Sequence, residues 1–433
     1  MKRGFYTIMS AQFFSSLADN ALFVTAVELL RANGAPEWQR AALVPMFALF
    51  YVVLAPFVGA FADALPKGRV MLISNAIKVI GCLMMLFGHH PLIAYAVIGL
   101  GAAAYSPAKY GILTELLPAS QLVKANGWIE GLTITSIILG VLVGGQLVGP
   151  TISHHLLNFD FPYLDTGVDT PAEAAIAVLI LIYAVAAWFN LHIPLTGVKM
   201  RPLREDPNKS LFGNLLGLLP DFWVCSKRLW SDKLGQISLS TTTLFWGASG
   251  NLRYIVLAWG AAALGYSTTQ ASALVGVVAI GTAVGAVLAS MRMRLDNATR
   301  VIPMGVLMGV LVVSMIYIDN LWVAVPFLIL LGGLGGFLVV PMNALLQHRG
   351  HNLMGAGRSI AVQNFNEQLA ILAMGGFYSL STKMGLSAFG AITVFGLLVA
   401  GTMVLIGLWH LNNRKKHPAE LEKLLEVARR DCH

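Results

Sequence analysis

The sequence predicts an all-α membrane protein in which twelve transmembrane helices form two pseudo-symmetric halves of six. Composition, the spacing of apolar runs and the placement of lysine and arginine each point there. Of the 433 residues, 57% are hydrophobic and 12% charged, and the mean hydropathy is +0.71. Soluble domains carry about 45–50% apolar and about 25% charged residues. So few charges cannot cover a water-facing surface of ordinary size, and most of the chain must face lipid.

A spanning helix needs about 20 mainly apolar residues. Such runs recur near 5–31, 40–63, 70–88, 91–117, 125–149, 172–193, 234–262, 269–291, 300–318, 321–346, 358–381 and 385–411. The first contains Gln12, Asp19 and Asn20, where a cleaved signal would keep an uninterrupted apolar core, so it reads as a retained span. The fifth carries Gly140, Gly144, Gly145 and Gly149 before Pro150, a spacing that lets helices pack closely. The outer stretch 151–171 holds Asp160, Asp165 and Asp169 with Phe159, Phe161 and Tyr163, and no Lys or Arg. Its aromatics suit a membrane interface. Residues 194–233, with Lys199, Arg201, Arg204, Lys209 and prolines 194, 202 and 207, read as a cytoplasmic linker between a half at 1–193 and a half at 234–411. The tail 412–433 reads as a solvated end piece with a short amphipathic helix from about Pro418.

With both termini inside the cell, 23 of the 29 lysines and arginines fall on inner segments, and outer segments hold only Arg31, Arg40 and Lys383. The positive-inside rule demands that asymmetry. It also explains the net charge of +8 as a topology signal, so no nucleic-acid partner is expected. Cys82, Cys225 and Cys432 are odd in number and far apart, which argues against a disulfide framework, and no cofactor or metal is expected.

The halves repeat. Gly99, Gly101, Pro107 and Lys109 of the fourth span correspond to Gly333, Gly335, Pro341 and Asn343 of the tenth, all at an offset of 234. Asn126 and Glu130 correspond to Gln363 and Glu367 at 237, and Asn20 to Asn251 at 231. Parallel six-span repeats with a substrate site between them near the midplane are the arrangement of the major facilitator superfamily. The loop after the second span resembles that superfamily's signature: Gly59, then Asp63, then Lys67 and Arg69. These charges are candidates for a gating latch that forms in one conformation and releases in the other.

A charge at the centre of a span costs roughly 2.5–3.5 kcal/mol or more, so it should face a wet cavity or a partner. Asp19, Lys109, Arg253 and Asn343 fall one each on spans 1, 4, 7 and 10, the spans that line the cavity of a two-half carrier. Lys78 of span 3 reads instead as a structural ion pair or a snorkelling side chain, because the third helix lies further out. Glu130 and Glu367 occupy matching positions with Asn126 and Gln363 one turn earlier, which fits an internal brace or a cavity wall equally. The predicted substrate-binding set is therefore Asp19, Asn20, Lys109, Arg253, Asn343, Gln363 and Glu367. Arg253 and Lys109 would take a phosphate and Asp19 an ammonium, which suits a zwitterionic or phosphate-bearing ligand.

Leu17-Ala-Asp19-Asn20-Ala-Leu22, Ser106-Pro107-Ala-Lys109-Tyr110-Gly111, Leu122-Val-Lys124-Ala-Asn126-Gly127, Phe245-Trp246-Gly247 and Pro341-Met-Asn343-Ala-Leu-Leu-Gln347 resemble the bacterial lysophospholipid transporter family of that superfamily. The resemblance covers nearly all spans, and Ser-Pro-Ala-Lys-Tyr-Gly is its most specific part. It implies an inner-membrane flippase that moves lysophosphatidylethanolamine and related lysolipids from the outer to the inner leaflet. A separate acyl-acyl carrier protein synthetase/acyltransferase would then re-acylate them. The family's polar site residues fall by position on Asp19, Lys109 and Arg253. A proton-coupled efflux pump for amphiphilic drugs, with Asp19 or Glu367 as proton carrier, is the alternative. An intramembrane acyltransferase would need a His paired with an acid, and His154, His155 and Asp160, or His348 and His351, form no such constellation. The chain is therefore not expected to be an enzyme.

Overall fold

The computed structural model describes residues 3–116, 119–158, 167–197, 200, 210–354 and 356–430. Every apolar run expected from the sequence lies on a helix or on a pair of helices broken by a short kink, and among the described residues there is no strand. In the N-terminal region these are α1 (Arg3–Ala32), α2 (Glu37–Val53), α3 (Ala55–Ala64), α4 (Lys67–Leu86), α5 (Pro91–Leu116), α6 (Ala119–Leu147), α7 (Pro150–Leu157) and α8 (Pro171–Leu191). The stretch read as a linker contains α9 (Leu211–Leu216) and α10 (Leu218–Ser231). The rest is α11 (Gly235–Leu264), α12 (Thr268–Arg292), α13 (Ile302–Ser314), α14 (Leu321–Met354), α15 (Ala356–Lys383), α16 (Ala388–Lys416) and α17 (Pro418–Arg430), with short 3-10 turns flanking α13.

Local chemistry sets these boundaries. Pro56 cannot donate to the preceding turn, and α2 gives way to α3 at Leu54. Pro150 opens α7, which bends 63° away from α6. Thr170 caps α8 by accepting the Glu173 amide while Glu173 Oε2 accepts the Thr170 amide. Gly265 ends α11 at φ +64°, a left-handed conformation that glycine adopts without penalty. Among the described residues eight helices are long and apolar enough to cross a membrane, or nine with the bent pair α6–α7 as one span. The remaining runs are α2 with α3, broken in the middle, and α11 and α15, whose Ser, Thr, Asn, Gln and Glu lower their hydropathy.

The chain divides into two compact units: Met1–Leu218 with Tyr266–Gly276, and Leu219–Gly265 with Val277–His433. In the first, α1 packs on α6 and α8, α4 on α5 and α8, and α2 on α5. In the second, α11 packs on α15 and α16, and α13 on α14 and α16, while Gly281 and Gly285 of α12 meet the backbone of α14. The repeat seen in the sequence is thus a repeat of helix pairings. The glycine ladder takes part in one of them: a methyl group at Gly140 would sit 2.7 Å from the Leu17 carbonyl oxygen, and one at Gly144 2.6 Å from that of Ala21. Both seat α6 on α1, by the close backbone approach that drives helix association in lipid. Leu181, Val185 and Trp188 of α8 and Leu397, Leu405 and Leu408 of α16 are exposed, as lipid-facing stripes are.

The tail helix differs from a free solvated piece. Leu421 and Ala428 of α17 are buried, and Arg429 lies 3.5 Å from Asp296. An amphipathic helix that finds an apolar surface buries that face rather than leaving it in water.

Candidate functional site

In the first unit the expensive charges meet. Asp19, on the middle of α1, receives the Lys78 ammonium at 2.7 Å on Oδ2 and the Tyr183 hydroxyl at 2.6 Å on Oδ1. Lys78 comes from α4 and is only 1% exposed, while Asp19 is 20% exposed. The same ammonium donates to Ser15 Oγ at 3.0 Å, and Ser15 donates in turn to Asn75 Oδ1 at 2.8 Å. It also lies 5.0 Å and 5.7 Å from the ring centroids of Tyr105 and Tyr183, a cation–π setting whose strength grows when the cation is desolvated. The helix periods place these groups together: Ser15 and Asp19 are one turn apart on α1, as Asn75 and Lys78 are on α4.

Asn20, next to Asp19, is 7% exposed and donates its amide to the Ser16 carbonyl at 2.8 Å. Its Cβ lies against Gly140 of α6. Its repeat partner Asn251 does the same in the second unit, donating at 2.8 Å to Gly247 and at 3.2 Å to Ile371 of α15. Both asparagines sit at equivalent helix contacts, and Asn251 also bonds across to α15. Lys109 is half-buried on α5, and Arg253 is half-buried on α11.

A second cluster lies wholly in the second unit. Gln363 Nε2 donates to Asn343 Oδ1 at 2.6 Å and to Glu367 Oε1 at 2.7 Å, which ties α14 to α15. Gln363 and Glu367 are 6% and 8% exposed. The side chain of Glu130, the repeat counterpart of Glu367, lies outside the described residues, as does Asn126.

Of the predicted latch, the Asp63 side chain also lies outside the described residues, and Arg69 is exposed. Lys67 is buried instead, donating to the Ala62 carbonyl at 2.6 Å and lying 3.5 Å from Glu115, which also accepts from Thr196. The second unit has a tighter pair. Arg349 Nε and Nη2 donate to the two carboxylate oxygens of Asp232 at 3.1 and 2.6 Å, and Asp232 also accepts the Gly235 amide at the start of α11. Glu115 and Arg349 are repeat counterparts at the offset of 234. The charge at this position is therefore of opposite sign in the two halves, and its partner comes from a different place: Lys67 opens α4, whereas Asp232 precedes α11.

Sequence reasoning singled out Asp19, but not Ser15, Asn75, Tyr105 or Tyr183 around it, nor Glu115 and Asp232. The one available signal was the pair of opposite charges within spans 1 and 3, Asp19 and Lys78. Among the described residues no group of His, Cys, Asp and Glu could hold a metal ion.

Residues 8–375 match the Major Facilitator Superfamily. The chain is 38% identical over 411 residues to a protein of Photorhabdus laumondii named lysophospholipid transporter LplT, covering 95% of this chain and 96% of that one. It is 40% identical over 391 residues to a protein of the same name from Yersinia pestis, covering 89% and 88%. Among solved structures it is similar to a bacterial homolog of the human lysosomal transporter Spinster, inward-facing and unoccupied, with TM-score 0.62, 15% identity and coverage of 99% and 98%. It is also similar to the nucleoside transporter NupG, with TM-score 0.65, 14% identity and coverage of 95% and 99%. At those identities the structural likeness concerns the fold alone.

Proposed function

Since the chain belongs to the major facilitator superfamily and, within it, to the lysophospholipid transporter family, we propose that it carries lysophosphatidylethanolamine and related lysolipids from the outer to the inner leaflet of the bacterial inner membrane. The observation that carries this reading is a match of 38% over nearly the whole length of a relative with that name. The positive-inside count favours both termini in the cytoplasm.

The chemistry supports a headgroup held by its phosphate. Lys78 already neutralises Asp19, so the first unit offers a hydrogen-bonded neutral wall rather than a bare anion. Arg253 and Lys109 supply the cations, and a guanidinium matches phosphate oxygens in a bidentate fork. Asn343, Gln363 and Glu367, which are hydrogen-bonded to one another, would orient the glycerol and the amine. The single acyl chain needs only apolar helix faces, since moving a methylene from lipid to such a face costs little. The halves rock about the loaded site, and the Asp63, Lys67 and Arg69 loop breaks and re-forms. Delivery to the inner leaflet brings the lysolipid to a separate acyl-acyl carrier protein synthetase/acyltransferase.

Arg253→Ala tests the assignment. It is expected to abolish lysophosphatidylethanolamine uptake by spheroplasts at unchanged membrane abundance; uptake equal to the parent chain would refute it. The buried acid Glu367 favours one other reading, proton-coupled efflux of amphiphilic drugs. Collapse of transport by an uncoupler together with drug sensitivity of a deletion strain would point there.

A further inference from the structure

Lys78 sits in a place built for a cation. Its ammonium touches a carboxylate oxygen of Asp19 at 2.7 Å and the hydroxyl of Ser15 at 3.0 Å, under the rings of Tyr105 and Tyr183. Oxygen donors and aromatic faces around a buried point are what a small monovalent cation requires. Two further polar atoms of the same surroundings, Asn75 Nδ2 and the Tyr105 hydroxyl, are buried without a hydrogen-bond partner. The stem of Lys78 is guided to this place by Gly101 of α5, where a methyl group would sit 2.7 Å from Lys78 Cγ.

Asp19 needs a partner there. A carboxylate deep in a span is expensive unless it is paired, coordinates a cation or takes up a proton. We propose that Lys78 is a tethered counter-cation for Asp19. Its ammonium fills the position that a sodium ion would otherwise occupy, and so holds the carboxylate charged and oriented without any dissolved ion. Lys78 is a positioning residue in this sense: it acts on transport through Asp19, and it frees this half of the carrier from dependence on a coupling cation at this point.

The inference does not depend on which lipid is carried, so its test needs no lysolipid. Purified full-length protein is melted in sodium chloride and in choline chloride at equal ionic strength. The parent chain is expected to melt at the same temperature in both. Lys78→Ala is expected to melt lower in choline and to recover by several degrees in sodium, because the vacated place can take the ion beside Asp19. The double variant Asp19→Asn with Lys78→Ala, which lacks the carboxylate, is expected to show no sodium response. A merely structural role for Lys78 would lower the melting temperature equally in both salts. Should Lys78→Ala fail to accumulate, Lys78→Gln, whose stem keeps the packing, is read by the same comparison. A sodium response of the lysine-less form no larger than that of the parent chain would overturn the proposal.

Discussion

In the N-terminal half, Gly101 of α5 faces Ser74 and Lys78 of α4, and the lysine reaches across to Asp19 of α1. In the C-terminal half, Gly335 of α14 faces Met308 of α13 and Phe245 of α11. Gly335, Met308 and Val312 stand 234 residues after Gly101, Ser74 and Lys78, and Gly250 stands where Asp19 does at the α1-to-α11 offset of 231. Val312 instead lines a small, mainly apolar pocket with Phe245, Leu252, Met308, Leu331 and Phe395, and no charged residue is among its described lining. Two copies of one packing scheme have therefore kept their glycines and exchanged their chemistry. The repeat preserves what fixes backbone separation, because close approach tolerates no side chain. The groups projecting into the space so created have diverged. One half holds a buried ion pair, and the other a small, mainly apolar pocket.

The largest effect should come from breaking the charged copy alone. Lys78→Met in sodium-free buffer is expected to destabilise the protein by about 3 kcal/mol, the low end for a broken buried pair, since Asp19 is partly exposed. Replacing both charges with Asp19→Asn and Lys78→Met should restore most of that loss in the same melting experiment. A comparable contrast exists at the helix ends. Arg349→Ala removes a bidentate partner from a carboxylate 8% exposed and is expected to cost about 3 kcal/mol. Lys67→Met, whose Glu115 partner is 3.5 Å away and more exposed, should cost about 1 kcal/mol.

The glycines sharpen the comparison at smaller scale. A methyl at Gly101 would sit 2.6 Å from the Ser74 carbonyl oxygen, which belongs to the backbone and cannot yield. One at Gly335 would meet the ring of Phe245 at 2.9 Å, beside an apolar pocket into which the ring can move. Gly101→Ala should therefore cost about 1–3 kcal/mol and Gly335→Ala less, read as melting temperatures of the two purified variants. Smallest of all, Val312→Ile adds one methylene to the pocket and should change stability by less than about 1 kcal/mol. A large loss there would mean the pocket is not free to accept it.

Much of the fold was legible because lipid imposes it. Long apolar runs with basic inner segments have few alternatives to a helical bundle, and matches whose offset drifts only from 231 to 237 expose a duplication directly. Of the site, cost was legible and direction was not. Asp19 stands out because a charge in a span demands an explanation, but the residue that supplies it lies 59 positions away. The depth of a residue can be counted along a span, whereas the rotation of a helix about its axis depends on neighbours the local pattern does not name. Tyr183 is similarly hidden, since an aromatic in an apolar span looks like packing until its hydroxyl is seen on the carboxylate. Asp232 and Arg349, 117 residues apart, read as ordinary charges near helix ends. The glycines did carry rotational information: Gly101 and Gly335 mark the faces where α4 and α13 arrive.

The central claim is most directly tested by lipid movement in a purified system. Liposomes containing the full-length protein, with fluorescent lysophosphatidylethanolamine added to the outer leaflet, are followed by the fraction protected from an external quencher. Protection that rises faster than in protein-free liposomes, and does so for the single-chain lipid but not for its two-chain parent, is the result the account predicts. Protection that develops at the protein-free rate would contradict it.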